Sequence, residues 1–279
     1  EVVRMASAQT LHMITAGLGS RAWEIAASRL ARQARKTSWF NSVVAVDTRM
    51  AHSLIGNFFE ENSEFLERSP RGFGYWLWRA YLIRSLLPRI EPHGVLLFLD
   101  AGCELNFNPP ASRRMSDYVE WATTYDLCAM RTPHLMTTWC KGDTLDVLGV
   151  SRSSQMRLVE PGALFLSTSA ANLELMNLWI ELARAADYHH LDDSLSASPN
   201  APEFVEHRHD QALFTGILKD RPVVAIEQET DFSDSEWKDG SHFPIWAVRN
   251  RYPVLLHTGG PLSRVTRAAQ GTLRKVRRG

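Results

Sequence analysis

The chain has 279 residues, enough to bury one large core or two smaller ones. A hydrophobic content of 44% with 22% charged residues excludes disordered, collagen-like and coiled-coil classes. Thirty-one basic residues balance 31 acidic ones, which removes the usual electrostatic footprint of a nucleic-acid partner.

Three cysteines, Cys103, Cys128 and Cys140, show no zinc-site spacing and point to a reducing compartment. No apolar run is long enough to cross a bilayer and no secretory leader opens the sequence, so the expectation is a soluble, cytoplasmic protein. Glu1 stands in place of an initiator methionine, which leaves room for an upstream segment. The stretch 262–279 is rich in arginine: it reads as a solvated, frayed end or as a peripheral contact with anionic lipid.

In chain order, Leu11–Ala16 predicts a first strand and Gly17–Ser20 a small-residue loop. Arg21–Arg35 predicts a helix whose Trp23, Ala26, Ala27, Leu30, Ala31 and Ala34 share one buried face. Its basic residues gather toward the C-terminal end, where the macrodipole favours them. Ser42–Asp47 is a second strand ending in a carboxylate, which completes a βαβ unit. A polar helical passage follows over Gly56–Arg68.

Arg71–Arg84 has helical periodicity and is apolar almost all round, so a buried helix is predicted. Arg79 is its anomaly, because an unpaired buried guanidinium is very costly. It either makes an internal salt bridge, snorkels out, or faces a phosphate, for which its planar fork is suited. Val95–Leu99 is an unbroken apolar run that suits a central strand buried on both faces. Asp100 follows it, then Ala101, Gly102, Cys103 and Glu104. Ligands of open α/β sheets collect at such strand ends; Asp100 there either holds a divalent cation or caps a turn.

Further strands are predicted at Asp126–Met130 and, after a turn, within Glu160–Ser167. Thr132–Trp139 reads as an irregular loop offering His134 and Trp139, and Lys141–Leu148 as a short helix. Ala170–Ala185 is an amphipathic helix and Tyr188–Pro202 a polar surface loop. His207-Arg208-His209-Asp210-Gln211 opens a helix to about Lys219, with His207 and Asp210 three apart on one face. Read alone, His209 or Asp210 is a helix cap, or two histidines and a carboxylate are an incomplete metal-hydrolase site. Pro222–Ile226 returns to the sheet, and Glu227–His242 is a loop with Trp237 and His242 as lid residues. Val254-Leu255-Leu256-His257-Thr258-Gly259-Gly260 repeats the pattern of an apolar strand, a ligand-capable residue and glycines.

Gly72 to Trp78 with Tyr81, followed by Asp100-Ala101-Gly102-Cys103-Glu104 and then by His207 to Gln211, resembles a group of sugar-nucleotide glycosyltransferases of the GT-A type. Arg79 stands where that pattern has lysine, and Ala80 where it has proline. The resemblance implies one α/β domain over 1–279, a mixed and mostly parallel sheet with helices on both faces. It also implies transfer of a hexose from a nucleotide sugar, UDP-linked, to a saccharide or glycolipid hydroxyl. Thr15, Ala16, Gly17, Arg79, Asp100, Ala101 and Gly102 are expected at the donor, and Trp76, Pro161, Gly162, Ala163 and His209 at the sugar or acceptor. Asp210 and Gln211 resemble the Asp-Gln pair of glycogenin-like retaining enzymes and are the expected catalytic residues. Manganese or magnesium would be held by Asp100 and His257; Asp-Ala-Gly lacks the second carboxylate of the usual Asp-x-Asp, for which Glu104 is the other candidate. Two rival readings are a nucleotide- or glycan-binding protein without turnover, and a metal-dependent hydrolase using His207, His209 and Asp210.

Overall fold

Residues 9–230 and 239–256 are described in a computed structural model; the expectations placed on Trp237, His257 and the basic stretch 262–279 lie outside the described residues. The strands are β1 (Leu11–Ala16), β2 (Ser42–Val46), β3 (Val95–Leu99), β4 (Glu104–Leu105), β5 (Leu127–Leu135), β6 (Arg157–Ser167), β7 (Val224–Glu227) and β8 (Ile245–Trp246). Six of them form one sheet in the order β2-β1-β3-β6-β5-β7, and β4 pairs with β8 in a small second ladder. β1 is parallel to β2 and β3, and β5 is parallel to β7. β6 runs antiparallel to both β3 and β5. The result is a mixed, mostly parallel α/β sheet.

All five residues of β3 are buried because the strand is hydrogen-bonded on both edges and covered on both faces. Leu96 and Phe98 point into one core with Trp78, Tyr81, Trp179 and Phe214. Val95, Leu97 and Leu99 point into the other with Leu30, Met115, Tyr118 and Phe165. Each such side chain contributes about 1.5–3 kcal/mol by leaving water. The longer helices supply these layers: α1 (Arg21–Ala34) and α3 (Pro109–Tyr125) on the second face, α2 (Trp78–Leu86), α4 (Ala170–Arg184) and α5 (His209–Ile217) on the first. Their starts are locally encoded. Asn108 Oδ1 accepts from Ala111 N ahead of Pro109, and Ser169 Oγ accepts from Asn172 N.

Four stretches depart from their sequence patterns. Gly72 to Trp76 is not the first turn of a right-handed helix: all five residues have positive φ, 59°, 54°, 79°, 49° and 61° in order. Gly72 and Gly74 take this conformation freely, whereas each side-chain-bearing residue there costs about 1–2 kcal/mol. Hydrogen bonds from Tyr75 N to Arg71 O and from Trp78 Nε1 to Gly72 O hold the run. Thr132–Trp139 is no irregular loop, since β5 continues to Leu135 and a short helix spans Met136–Trp139. Pro161 and Gly162 are inside β6 rather than in a turn. Proline is tolerated there because the β5–β6 register shifts between Cys128 and Met130, on the edge where Pro161 has no N–H to give. Val254–Leu256 forms no strand; Leu256 N instead donates to Glu104 Oε1.

Candidate active site

A cleft of about 740 Å³ opens at the carboxyl ends of β1 and β3, where β6 crosses in the opposite direction. That volume is in the range of small-ligand sites, roughly 300–1,000 Å³. At its base lies Arg79, 3% exposed and carried on α2. Its Nη2 donates to Asp100 Oδ1 at 2.9 Å, and its Nη1 donates to Asp210 Oδ2. The helix start His209–Ile217 and the end of β3, 110 residues apart in sequence, are thereby joined through one guanidinium. Phe98 and Trp78 lie beneath it, with ring centroids 5.3 and 5.8 Å from its central carbon.

The charges are unevenly balanced. Burial works against the Arg79 cation, but Asp100 and then Asp210 hold its pKa above the ordinary arginine value. Burial pushes the Asp210 carboxyl up to about 7, a rise that Arg79 opposes and Asp100 reinforces. Asp210 therefore titrates near neutrality. Glu160 adds a third carboxylate at this corner, accepting from Thr230 Oγ1 at 2.6 Å. A Cβ built at Gly162 would stand 2.7 Å from Asp100 Oδ2 and 3.5 Å from Glu160 Oε1, so glycine is what lets both carboxylates approach β6.

His209 also lines the cleft. It is 2% exposed, and its Nδ1 donates to Leu191 O at 2.9 Å. That bond leaves Nε2 as the acceptor nitrogen of a neutral ring, with no hydrogen-bond partner. Burial lowers its pKa to about 4, so the imidazole stays uncharged. The rings of Tyr75 and Trp76 flank it at 4.4 and 6.3 Å. Gln211 Nε2 donates to Val159 O, which anchors its amide beside β6.

Of the expected donor residues, Ala16, Arg79, Asp100, Ala101 and Gly102 line the cleft. Thr15 and Gly17 do not. Thr15 is fully buried, and Gly17 is turned against the backbone of Trp23, whose carbonyl oxygen would be 2.1 Å from an added Cβ. The last strand residue, Ala16, and the loop residues Leu18, Gly19 and Ser20 line the cleft instead. Trp76, Pro161, Gly162, His209, Asp210 and Gln211 are placed in the cleft as expected. Ala163 is not: it pairs with Leu99 inside the sheet and is buried in the core.

Neither helix-cap reading holds, as α5 is capped at Arg208 with no side-chain hydrogen bond. Nor do His207 and Asp210 share a helical face, because His207 precedes the helix. Its Nε2 donates to His190 O and its Nδ1 accepts from Lys141 N, so both ring nitrogens are spent on structure. This removes the hydrolase reading. Glu104 is fully buried in the small ladder and accepts from Asn250 Nδ2 and Leu256 N, outside the cleft. Among the described residues no three of His, Cys, Asp or Glu group as a cation site, and Asp100 already shares Oδ1 with Arg79. The other expected ligand, His257, lies outside the described residues.

Sequence patterns did not mark Trp23, Arg71, Phe73, Glu160 or Gln228 as cleft residues, and gave Arg249 and Arg251 no role there; all line it. Glu160 had one local signal, its position before Pro161-Gly162.

No family model and no curated protein matches this sequence. Several solved structures are similar to it at low identity. Mouse xyloside xylosyltransferase 1 in its apo form shares 13% identity over 88% of this chain and 99% of that one, with a TM-score of 0.44. The galactosyltransferase LgtC in complex with donor and acceptor sugar analogs shares 12% over 92% and 82%, with a TM-score of 0.43. An active-site mutant of LgtC shares 11% over 94% and 96%, with a TM-score of 0.47. The chemistry of the cleft rests on its own side chains.

Proposed function

We propose that this protein is a GT-A-type glycosyltransferase that moves a hexosyl group from a nucleoside-diphosphate sugar, UDP-linked, to a hydroxyl of a saccharide or glycolipid. The observation that carries the reading is the Asp100–Arg79–Asp210 bridge at the carboxyl ends of β1 and β3, in which Arg79 and Asp210 are buried and Asp100 is open to the cleft. In the proposed reaction the bond from the anomeric carbon to the diphosphate oxygen breaks, and a bond from the same carbon to the acceptor oxygen forms. Positive charge develops on the sugar and negative charge on the leaving diphosphate. A carboxylate at Asp210, held by Arg79, would stabilise the first in the transition state more than in the ground state. Neutral His209, whose Nε2 makes no hydrogen bond and has Asp193 Oδ1 at 3.6 Å, offers an acceptor for a sugar hydroxyl, and Trp76 an apolar face for the ring.

The test is turnover. Full-length protein incubated with UDP-hexoses and saccharide acceptors should release UDP, and Asp210→Asn should abolish most of that release while leaving UDP affinity within about twofold. Product anomeric configuration read by NMR decides retention. Nucleotide-sugar binding without UDP release for any acceptor would leave a binding protein in place of an enzyme.

A further inference from the structure

Asp-x-Asp sites place a second carboxylate two residues after the first. Here that position is Gly102, and a Cβ built on it would be 3.1 Å from Arg249 Cα and 3.5 Å from Arg249 C. The backbone of Arg249 crowds the side from which a carboxylate would project. The arrangement is fastened from behind. Asn250 N donates to Gly102 O at 2.8 Å. Arg29, buried in α1, donates to Ala101 O, Cys103 O and Asn250 O. Asn250 Nδ2 donates to Glu104 Oε1. Arg249 is held at a φ of 53°, a conformation that persists only where its surroundings enforce it.

What this fastening delivers to the cleft is two cations. Arg249 and Arg251 are exposed and line it, and neither makes an ion pair among the described residues. The Arg251 guanidinium lies over the Trp23 ring, 4.6 Å from its centroid. By contrast Arg79 is paired with two carboxylates, Arg208 faces Glu206 and Arg71 faces Asp193. A pair of unspent guanidiniums beside an aromatic face suits a diphosphate joined to a planar base, because the planar fork binds phosphate oxygens two at a time.

We infer that Arg249 and Arg251 form the diphosphate subsite of this cleft and take the charge-neutralising place of a divalent cation, with Trp23 supporting the Arg251 guanidinium from beneath. This rests on the transferase reading and specifies how its donor is held. Donor affinity is therefore independent of divalent cations.

The experiment is calorimetry on the full chain with UDP and, separately, inorganic pyrophosphate, in EDTA and in manganese. The wild type should bind UDP within about twofold under both conditions. Arg249→Gln and Arg251→Gln should each weaken binding by about 10- to 100-fold in EDTA, and Arg249→Lys, which keeps the charge without the planar fork, should recover only part of the loss. Thermal melts of each variant confirm folding. UDP binding that vanishes in EDTA and survives both glutamine variants overturns the subsite and leaves the transferase standing. Pyrophosphate binding lost in both variants, with no UDP binding to the wild type, sustains the anion subsite and sinks the nucleotide-sugar reading. Absence of binding by either probe overturns both.

Discussion

Arg29 and Arg79 are each 3% exposed, and they satisfy a buried guanidinium in opposite ways. Arg29 donates to the backbone carbonyls of Ala101, Cys103 and Asn250. Burial, partly offset by Glu104, lowers its pKa. Arg79 donates to the carboxylates of Asp100 and Asp210, which raise its pKa against the same burial. Neutral oxygens leave Arg29 with fixed geometry and no carboxylate hydrogen-bonded to it. Ionised partners leave Arg79 beside a carboxyl that titrates near pH 7. One arginine shapes the backbone of the site, and the other sets its charge.

Removing each cation should separate these roles, and the largest effect is expected from Arg79→Met. It leaves two carboxylates without their partner, a change of about 3–5 kcal/mol in unfolding free energy at pH 8, measured by urea denaturation. At pH 6 the loss should be smaller, because Asp210 then takes up a proton. Turnover should fall at least about a hundredfold at either pH. A loss of stability equal at both pH values would make Arg79 another Arg29.

Asp210→Asn sharpens the same contrast from the acid side. With a native pKa near 7, above the ordinary carboxylate value, Asp210 holds a proton that the unfolded chain has already released between about pH 4 and 7. Its contribution to stability is thus present at low pH and lost as pH rises through 7. Wild-type unfolding free energy should decline across pH 5–8 while the asparagine variant stays flatter, and wild-type kcat should rise across that window as the carboxylate forms. A kcat lower by about 10²–10³-fold with little change in KM is expected at pH 8.

Arg29→Met should cost less, about 1.5–3 kcal/mol, with the same value at pH 6 and 8 by urea denaturation. Its kinetic signature should be a raised donor KM, since the fastening of Arg249 is lost, and a kcat close to wild type. The smallest change is expected from Gly162→Ala, whose methyl would displace Asp100 Oδ2 without touching Arg29. A several-fold drop in kcat/KM and a stability change of about 1 kcal/mol would place the effect on the Arg79 side alone.

The sheet was largely legible because its signals are local. Val95–Leu99 has no polar residue to alternate, and Asp100 follows at a strand end, so both strand and site could be read without knowing their neighbours. Arg79 announced itself as a charge in an apolar helix, yet its partners are 21 and 131 residues away and no pattern links them. Arg29 was concealed by a plausible local explanation, the macrodipole, although it is buried. Gly72–Trp76 misled for a related reason: spacing of apolar residues reports which side chains are buried and says nothing of the sign of φ. Ala163 and Thr15 lie one residue deeper in their strands than Gly162 and Ala16, which line the cleft, and neighbours on a strand point to opposite faces.

The left-handed run also has a kinetic consequence. Its Phe73 side chain packs against Gly19 and its Trp76 borders the cleft, so both loops at the mouth lean on a segment whose backbone relaxes when released. Such segments open at a fraction of the global unfolding free energy. The amides of Tyr75 and Trp76, hydrogen-bonded to Arg71 O and Gly72 O, should exchange with solvent deuterium well before those of β3, and a ligand resting on Trp76 should slow them selectively. The cleft would then breathe at its rim while its floor, clamped by Arg79, stays shut to exchange.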